Sequence, residues 1–87
     1  MKEIKVLCFI DEQGPSQLQN SIIEEMRKDL KNIDFKIINS KEDGESVKKY
    51  NIKEYPSIII EDGKNQMKFS GLTQQIFLER AIDKLLK

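Results

Sequence analysis

At 87 residues the chain suffices for one small domain, expected over residues 1–87, and leaves no room for a second core. Fifteen basic and 15 acidic side chains cancel to zero formal net charge, which argues against nucleic acid or an anionic membrane as partner, since either calls for a basic excess on one face. Without histidine and with one cysteine, the chain excludes an internal disulfide, a zinc shell and Ser-His or Cys-His nucleophile activation, so no metal and no cofactor is expected. No Gly-rich phosphate loop occurs, and no apolar run approaches the roughly 20 residues that span a bilayer. The opening "MKEIKVLCFIDEQ" turns acidic too early for a signal peptide, so a cytoplasmic, by default monomeric protein is the expectation. Arg27-Lys28 and Lys48-Lys49, the adjacent basic pairs, read as solvated helix surface.

In chain order, Glu3 to Ile10, "EIKVLCFI", reads as a strand buried on both faces, with Val6, Cys8 and Ile10 alternating with Leu7 and Phe9. Leu18, Ile22, Ile23, Met26 and Leu30 form a helical stripe. Pro15 suits that helix's first turn, and Glu24 with Lys28 forms an i,i+4 pair in the favourable order. "DFKIINS", Asp34 to Ser40, alternates as a second strand. Ser40 is positioned to cap a short helix with Val47 and Tyr50 as its buried face, weakened by Gly44. A hairpin follows, with strands Ser57 to Glu61 and Gln66 to Ser70, a turn at Asp62-Gly63, and Met67 and Phe69 on one face. Thr73 is the expected cap of a last helix with stripe Phe77, Ala81, Ile82 and Leu85. The order β-α-β-α-β-β-α predicts a three-layer α/β fold with a mixed sheet, its opening βαβ unit parallel and right-handed, its closing hairpin antiparallel.

These segments resemble the thioredoxin family over nearly the whole chain. In that family a strand ends in a turn carrying Cys-Gly-Pro-Cys, which opens the first helix. Here Gln13-Gly14-Pro15-Ser16 keeps the Gly-Pro centre and replaces both cysteines. "VKKYNIKEYPSIIIEDGK" is similar to the family's tyrosine, turn, cis-proline, strand and Asp-Gly hairpin, which makes Pro56 the expected cis-proline. "FSGLTQQIFLERAIDKLL" is similar to the stretch in which a glycine beside the active site, here Gly71, precedes the C-terminal helix. The resemblance implies a four-stranded sheet in the order 2-1-3-4, and the short length is closer to glutaredoxins and small archaeal thioredoxins. The departures fall together at the reactive site. Gln13 and Ser16 replace the sulfurs, Glu12 stands for the usual tryptophan, and Leu7 falls where many members carry a buried aspartate.

The family's chemistry rests on a helix N-terminus lowering a thiol's pKa. Glutamine neither ionises nor forms a mixed disulfide, and Ser16 is expected to have no base beside it, so its plainer role is to bond a free N–H in the helix's first turn. Cys8 reads as a small buried hydrophobe, with a single-thiol redox sensor as the alternative. Asp11 and Glu12 read as solvated turn acids, with an acid/base pair as the alternative. Tyr55 either packs over the proline loop or lines a groove in which the backbone before Pro56 pairs with an extended segment. Phe9 reads as core beneath it.

The expectation is therefore a redox-inactive, non-catalytic module that holds a protein or peptide partner at a degenerate active-site surface. Its floor is Gln13, Gly14, Pro15, Ser16, Tyr55, Pro56 and Gly71. The alternative is a thioredoxin- or glutaredoxin-like thiol-disulfide oxidoreductase working with an external thiol such as glutathione in cell redox homeostasis. A third reading is a subunit of a larger assembly, contacted through the hairpin edge or the last helix.

Overall fold

The computed structural model describes residues 3–86; residues 1, 2 and 87 of the expected 1–87 domain lie outside the described residues. Seven elements follow the expected order: β1 (Lys5–Ile10), α1 (Gly14–Asp29), β2 (Asp34–Asn39), α2 (Gly44–Lys49), β3 (Ser57–Glu61), β4 (Gln66–Ser70) and α3 (Gln75–Leu86). The strands form one sheet ordered β2-β1-β3-β4. β1 runs parallel to β2 and antiparallel to β3, and β3 and β4 form the antiparallel hairpin.

The apolar run of β1 is explained by cover on both sides. Val6 and Cys8 join a cluster with Ile23 and Met26 of α1 and Leu78, Ala81, Ile82 and Leu85 of α3. Leu7 and Phe9 face the opposite way, into a smaller cluster with Ile38, Ile52 and Ile59 against which Val47, Tyr50 and Tyr55 pack. Helices α1 and α3 thus cover one face and the six-residue α2 covers part of the other. Phe9 is fully buried, as core, and its ring lies 5.8 Å from that of Tyr50. Met67 and Phe69 both pack against the larger cluster, as their alternation predicts.

Several details depart from the sequence pattern. β1 starts at Lys5 rather than Glu3, although Ile4 is buried and its C=O accepts the Asp34 N–H at 3.0 Å. On α1, Leu18 is 58% exposed and the neighbouring Gln19 is fully buried, because one residue is a 100° step around a helix. The Glu24–Lys28 pair gives way to two i,i+3 pairs, Arg27–Glu24 at 3.1 Å and Lys28–Glu25 at 3.4 Å. Arg27 does more than face solvent: its guanidinium donates to the Phe35 C=O at 3.0 Å, on the edge strand of the sheet.

Ser40 does not cap α2; its N–H donates to the Ile10 C=O and prolongs the β1–β2 ladder. Asp43 caps instead, its carboxylate accepting the Ser46 N–H at 3.1 Å and the Ser46 hydroxyl at 2.7 Å. Asn51, at φ 54, closes α2 in the left-handed region. Its N–H reaches the Lys48 C=O, and that of Ile52 reaches the Val47 C=O at 2.9 Å. Ile52 and Val47 meet in the smaller cluster, so this stop aims the loop 53–56 back at the sheet. Thr73 likewise does not cap α3: the Gln74 C=O accepts the Phe77 and Leu78 N–H groups, which makes Gln74 the flanking residue. Leu78 takes the buried place expected for Phe77, which is 51% exposed.

Candidate functional site

The sheet register carries three loops to one end of the molecule. Phe9 and Ser70 both stand opposite Ser57, so the turn after β1, the loop before β3 and the segment after β4 leave the sheet together. The Gly71 N–H donates to the Pro56 C=O at 2.8 Å, which joins the second of these to the third. Gln19 then ties α1 to the third: its amide donates to the Thr73 C=O at 3.0 Å and accepts the Thr73 N–H at 2.7 Å. Gln13, Gly14, Pro15 and Ser16 open α1 one turn before that tie.

Gln13 is the N-cap, in extended geometry (φ −76, ψ 159), with no hydrogen bond from its side chain. Its C=O accepts the Ser16 and Gln17 N–H groups. Gln13, Gly14 and Pro15 are exposed, and a Cβ at Gly14 would meet nothing within 4 Å. Ser16 is fully buried. Its hydroxyl accepts the Asp11 N–H at 3.0 Å and donates to Asp11 Oδ1 at 2.7 Å, so the N–H it bonds lies in the preceding turn and not in the helix.

That carboxylate also accepts the Gln13 N–H at 3.0 Å. The Ser16 hydroxyl foremost, then the Gln13 N–H, hold the Asp11 pKa below its ordinary value. Contrary to the sequence reading, then, Ser16 does have a carboxylate beside it, but one stabilised in this way is a weaker base and leaves the hydroxyl no activated nucleophile. Glu12 turns elsewhere, to Lys41 at 2.7 Å. Asp11 and Glu12 therefore serve separate partners.

Cys8, the only cysteine, lies fully buried in the larger core cluster, where burial pushes its thiol up to about 12. Among the described residues no cluster of three or more Cys, Asp or Glu stands ready to hold a metal.

The Tyr55–Pro56 peptide bond is cis, and Pro56 is buried. The Tyr55 ring is half-buried against the smaller cluster, so packing accounts for part of it. Among the described residues, the Tyr55 N–H and C=O have no hydrogen-bond partner. Ser57 steadies the loop by donating its hydroxyl to the Glu54 C=O at 2.6 Å. Gly71 has φ 85, in the left-handed region that favours glycine, and its C=O accepts the Thr73 hydroxyl at 3.1 Å. Sequence reasoning missed Gln19 and read Thr73 only as a helix cap, because a buried glutamine looks like any solvent-facing one until its distant partner is known.

Fold and site together define a class: a thioredoxin fold whose two dithiol positions carry no sulfur. The thioredoxin family model matches residues 4–84, and the chain belongs to that family. Its structure is similar to that of Fasciola hepatica thioredoxin, with TM-score 0.85 and 19% identity over 95% of this chain and 81% of that one. Thioredoxin-2 of the malaria parasite, described as a component of its protein secretion machinery, gives TM-score 0.87 at 17% identity over 95% and 84%. The Drosophila germline-specific thioredoxin Deadhead gives 0.82 at 17% over 97% and 82%. At these identities the likeness is one of fold. No curated protein matches the chain in sequence.

Proposed function

We propose that the protein is a non-catalytic binding module that holds an extended segment of a protein or peptide partner at the surface built from Gln13, Gly14, Pro15, Tyr55 and Gly71, with Ser16 and Pro56 buried beneath it. The observation that carries this reading is the pair of unpartnered backbone groups at Tyr55, a free donor and acceptor at the open end of the sheet. An extended chain laid against them adds a short strand, and such recognition needs no sulfur. The chain itself supplies no thiolate for exchange near neutral pH, since its one thiol is buried. Zero net charge favours a protein partner over nucleic acid or an anionic membrane surface, and no helix among the described residues is long and apolar enough to cross a membrane.

The test is capture of partners from native extract under reducing conditions, with wild type, Tyr55→Ala and Gly14→Glu in parallel. Gly14 is exposed with open space around it, so Gly14→Glu obstructs the surface without disturbing the core. A partner held by wild type and lost by both variants supports the reading. A partner held equally by all three moves the interface elsewhere, and protein-dependent turnover of glutathione disulfide would favour an enzyme working with an external thiol.

A further inference from the structure

Although 34% of the residues are charged, three segments of six or more residues carry no charge at all: residues 13–23 (QGPSQLQNSII), 55–60 (YPSIII) and 69–78 (FSGLTQQIFL). They are the three segments that meet at the site. Core packing explains Ile58, Ile59 and Ile60, which are fully buried. It does not explain the other two segments, which leave Leu18, Leu72, Ile76 and Phe77 at 58, 43, 52 and 51% exposure. Of the exposed large apolar side chains among the described residues, only Leu86 lies outside this group. The Gln19–Thr73 tie brings the chain beside Leu18 to the chain beside Leu72, each one residue or about 3.8 Å from a partner, and Ile76 and Phe77 follow in the first turn of α3. The polar residues between them, Gln13, Gln17, Asn20 and Gln74, are uncharged. Charges stand only at the borders of these segments, Lys53-Glu54 before Tyr55 and Glu79-Arg80 after Leu78 among them, and of the acids before α1, Asp11 is engaged by Ser16 and Gln13 and Glu12 by Lys41.

We infer that this end of the molecule takes an uncharged, apolar-rich extended segment, whose backbone pairs at Tyr55 and whose apolar side chains reach beyond the groove onto Leu72, Ile76 and Phe77. The inference rests on the binding reading above and names the chemistry of its partner. A charged side chain laid over the interior of these segments would lose hydration with no opposite charge within them to meet it. Four large apolar side chains at half exposure offer roughly 300–400 Å², the size of the largest patch on an ordinary monomer. A stable folded interface takes about 800 Å² from each partner, so the patch suits a segment better than a second copy of the chain.

An array of short peptides of uncharged, acidic and basic composition, probed with labelled protein under reducing conditions, tests the inference. The uncharged, apolar-rich peptides are expected to be held, with affinity changing less than about twofold between low and high salt. Leu72→Lys and Ile76→Lys, both at exposed positions, are expected to weaken binding about tenfold or more while leaving the thermal unfolding curve in place. Loss in Gly14→Glu with full retention in Leu72→Lys and Ile76→Lys overturns the inference and leaves the groove reading standing. Selection of charged peptides, or strong salt dependence, likewise overturns only the partner class. Retention in all three variants, or an array on which nothing is held, overturns both. A wild-type dimer dispersed by Leu72→Lys assigns the face to a second copy and overturns the inference.

Discussion

The Ser16 hydroxyl stands between the N–H and the carboxylate of Asp11 and uses its donor and its acceptor there. The position where the family keeps its second sulfur thus locks a turn. Because these bonds favour the ionised carboxylate, Asp11 has a folded pKa below its ordinary 3.8. Its contribution to stability is complete above the unfolded value and is lost as pH falls through the lower folded one. We expect a carboxyl NMR titration to place Asp11 below 3.8, and Ser16→Ala to move it upward. A wild-type midpoint at or above that value would show that the bonds do not persist in solution. Cys8 gives a second check at this scale. With its thiol buried and pushed up to about 12, it should react with a disulfide reagent at pH 8 at least about 100-fold more slowly in the native protein than in denaturant. Equal rates would refute the core assignment of β1.

The helix α1 is held at its two ends by different means. Its start is set by the Asp11–Ser16 turn, and one turn on Gln19 satisfies both backbone groups of Thr73. Removing that amide leaves a buried N–H and C=O without partners, each costing about 1–3 kcal/mol. Gln19→Leu keeps the bulk and loses the bonds, so denaturant unfolding should show a loss of roughly 2–4 kcal/mol, whereas Gln17→Leu, on exposed surface, should change little. A Gln19→Leu protein as stable as wild type would mean that the tie is incidental. At the far end, Arg27 reaches the Phe35 C=O on β2, and on the opposite edge Lys68 of β4 donates to the Asn51 C=O at 2.8 Å. Both open edges therefore carry a basic side chain, a common guard against strand pairing between molecules.

Across the whole molecule, the two sheet faces are finished differently. One is sealed by α1 and α3, and on the other, where α2 ends, Lys5, Lys36 and Glu61 complete the surface. What persists of the family's reactive end is its frame: a helix N-terminus, a proline loop and a glycine beside it. We expect no protein-dependent reduction of insulin disulfides by wild type with a thiol donor, and a measurable rate once Gln13→Cys and Ser16→Cys are combined, because the helix start still favours a thiolate. A clear wild-type rate would overturn the non-redox reading.

The strands of the hairpin were legible to the residue, because Pro56 before β3 and Asp62-Gly63 after it are local punctuation. Helices α1 and α3 were legible as helices but not in their inner faces. Leu18 and Phe77 were expected inside, and their neighbours Gln19 and Leu78 are there instead. Ser40 and Thr73 looked like caps, yet each is held by a partner far along the chain, Ile10 for one and Gln19 for the other. What the sequence by itself determined was the order of elements and the lack of a cysteine pair, since the first follows from local periodicity and punctuation and the second from composition. The tertiary structure alone decided which side chain faces inward and that three uncharged segments share one end of the molecule. Those outcomes depend on contacts such as Gln19 with Thr73, 54 positions apart, and no local pattern encodes a partner at that distance.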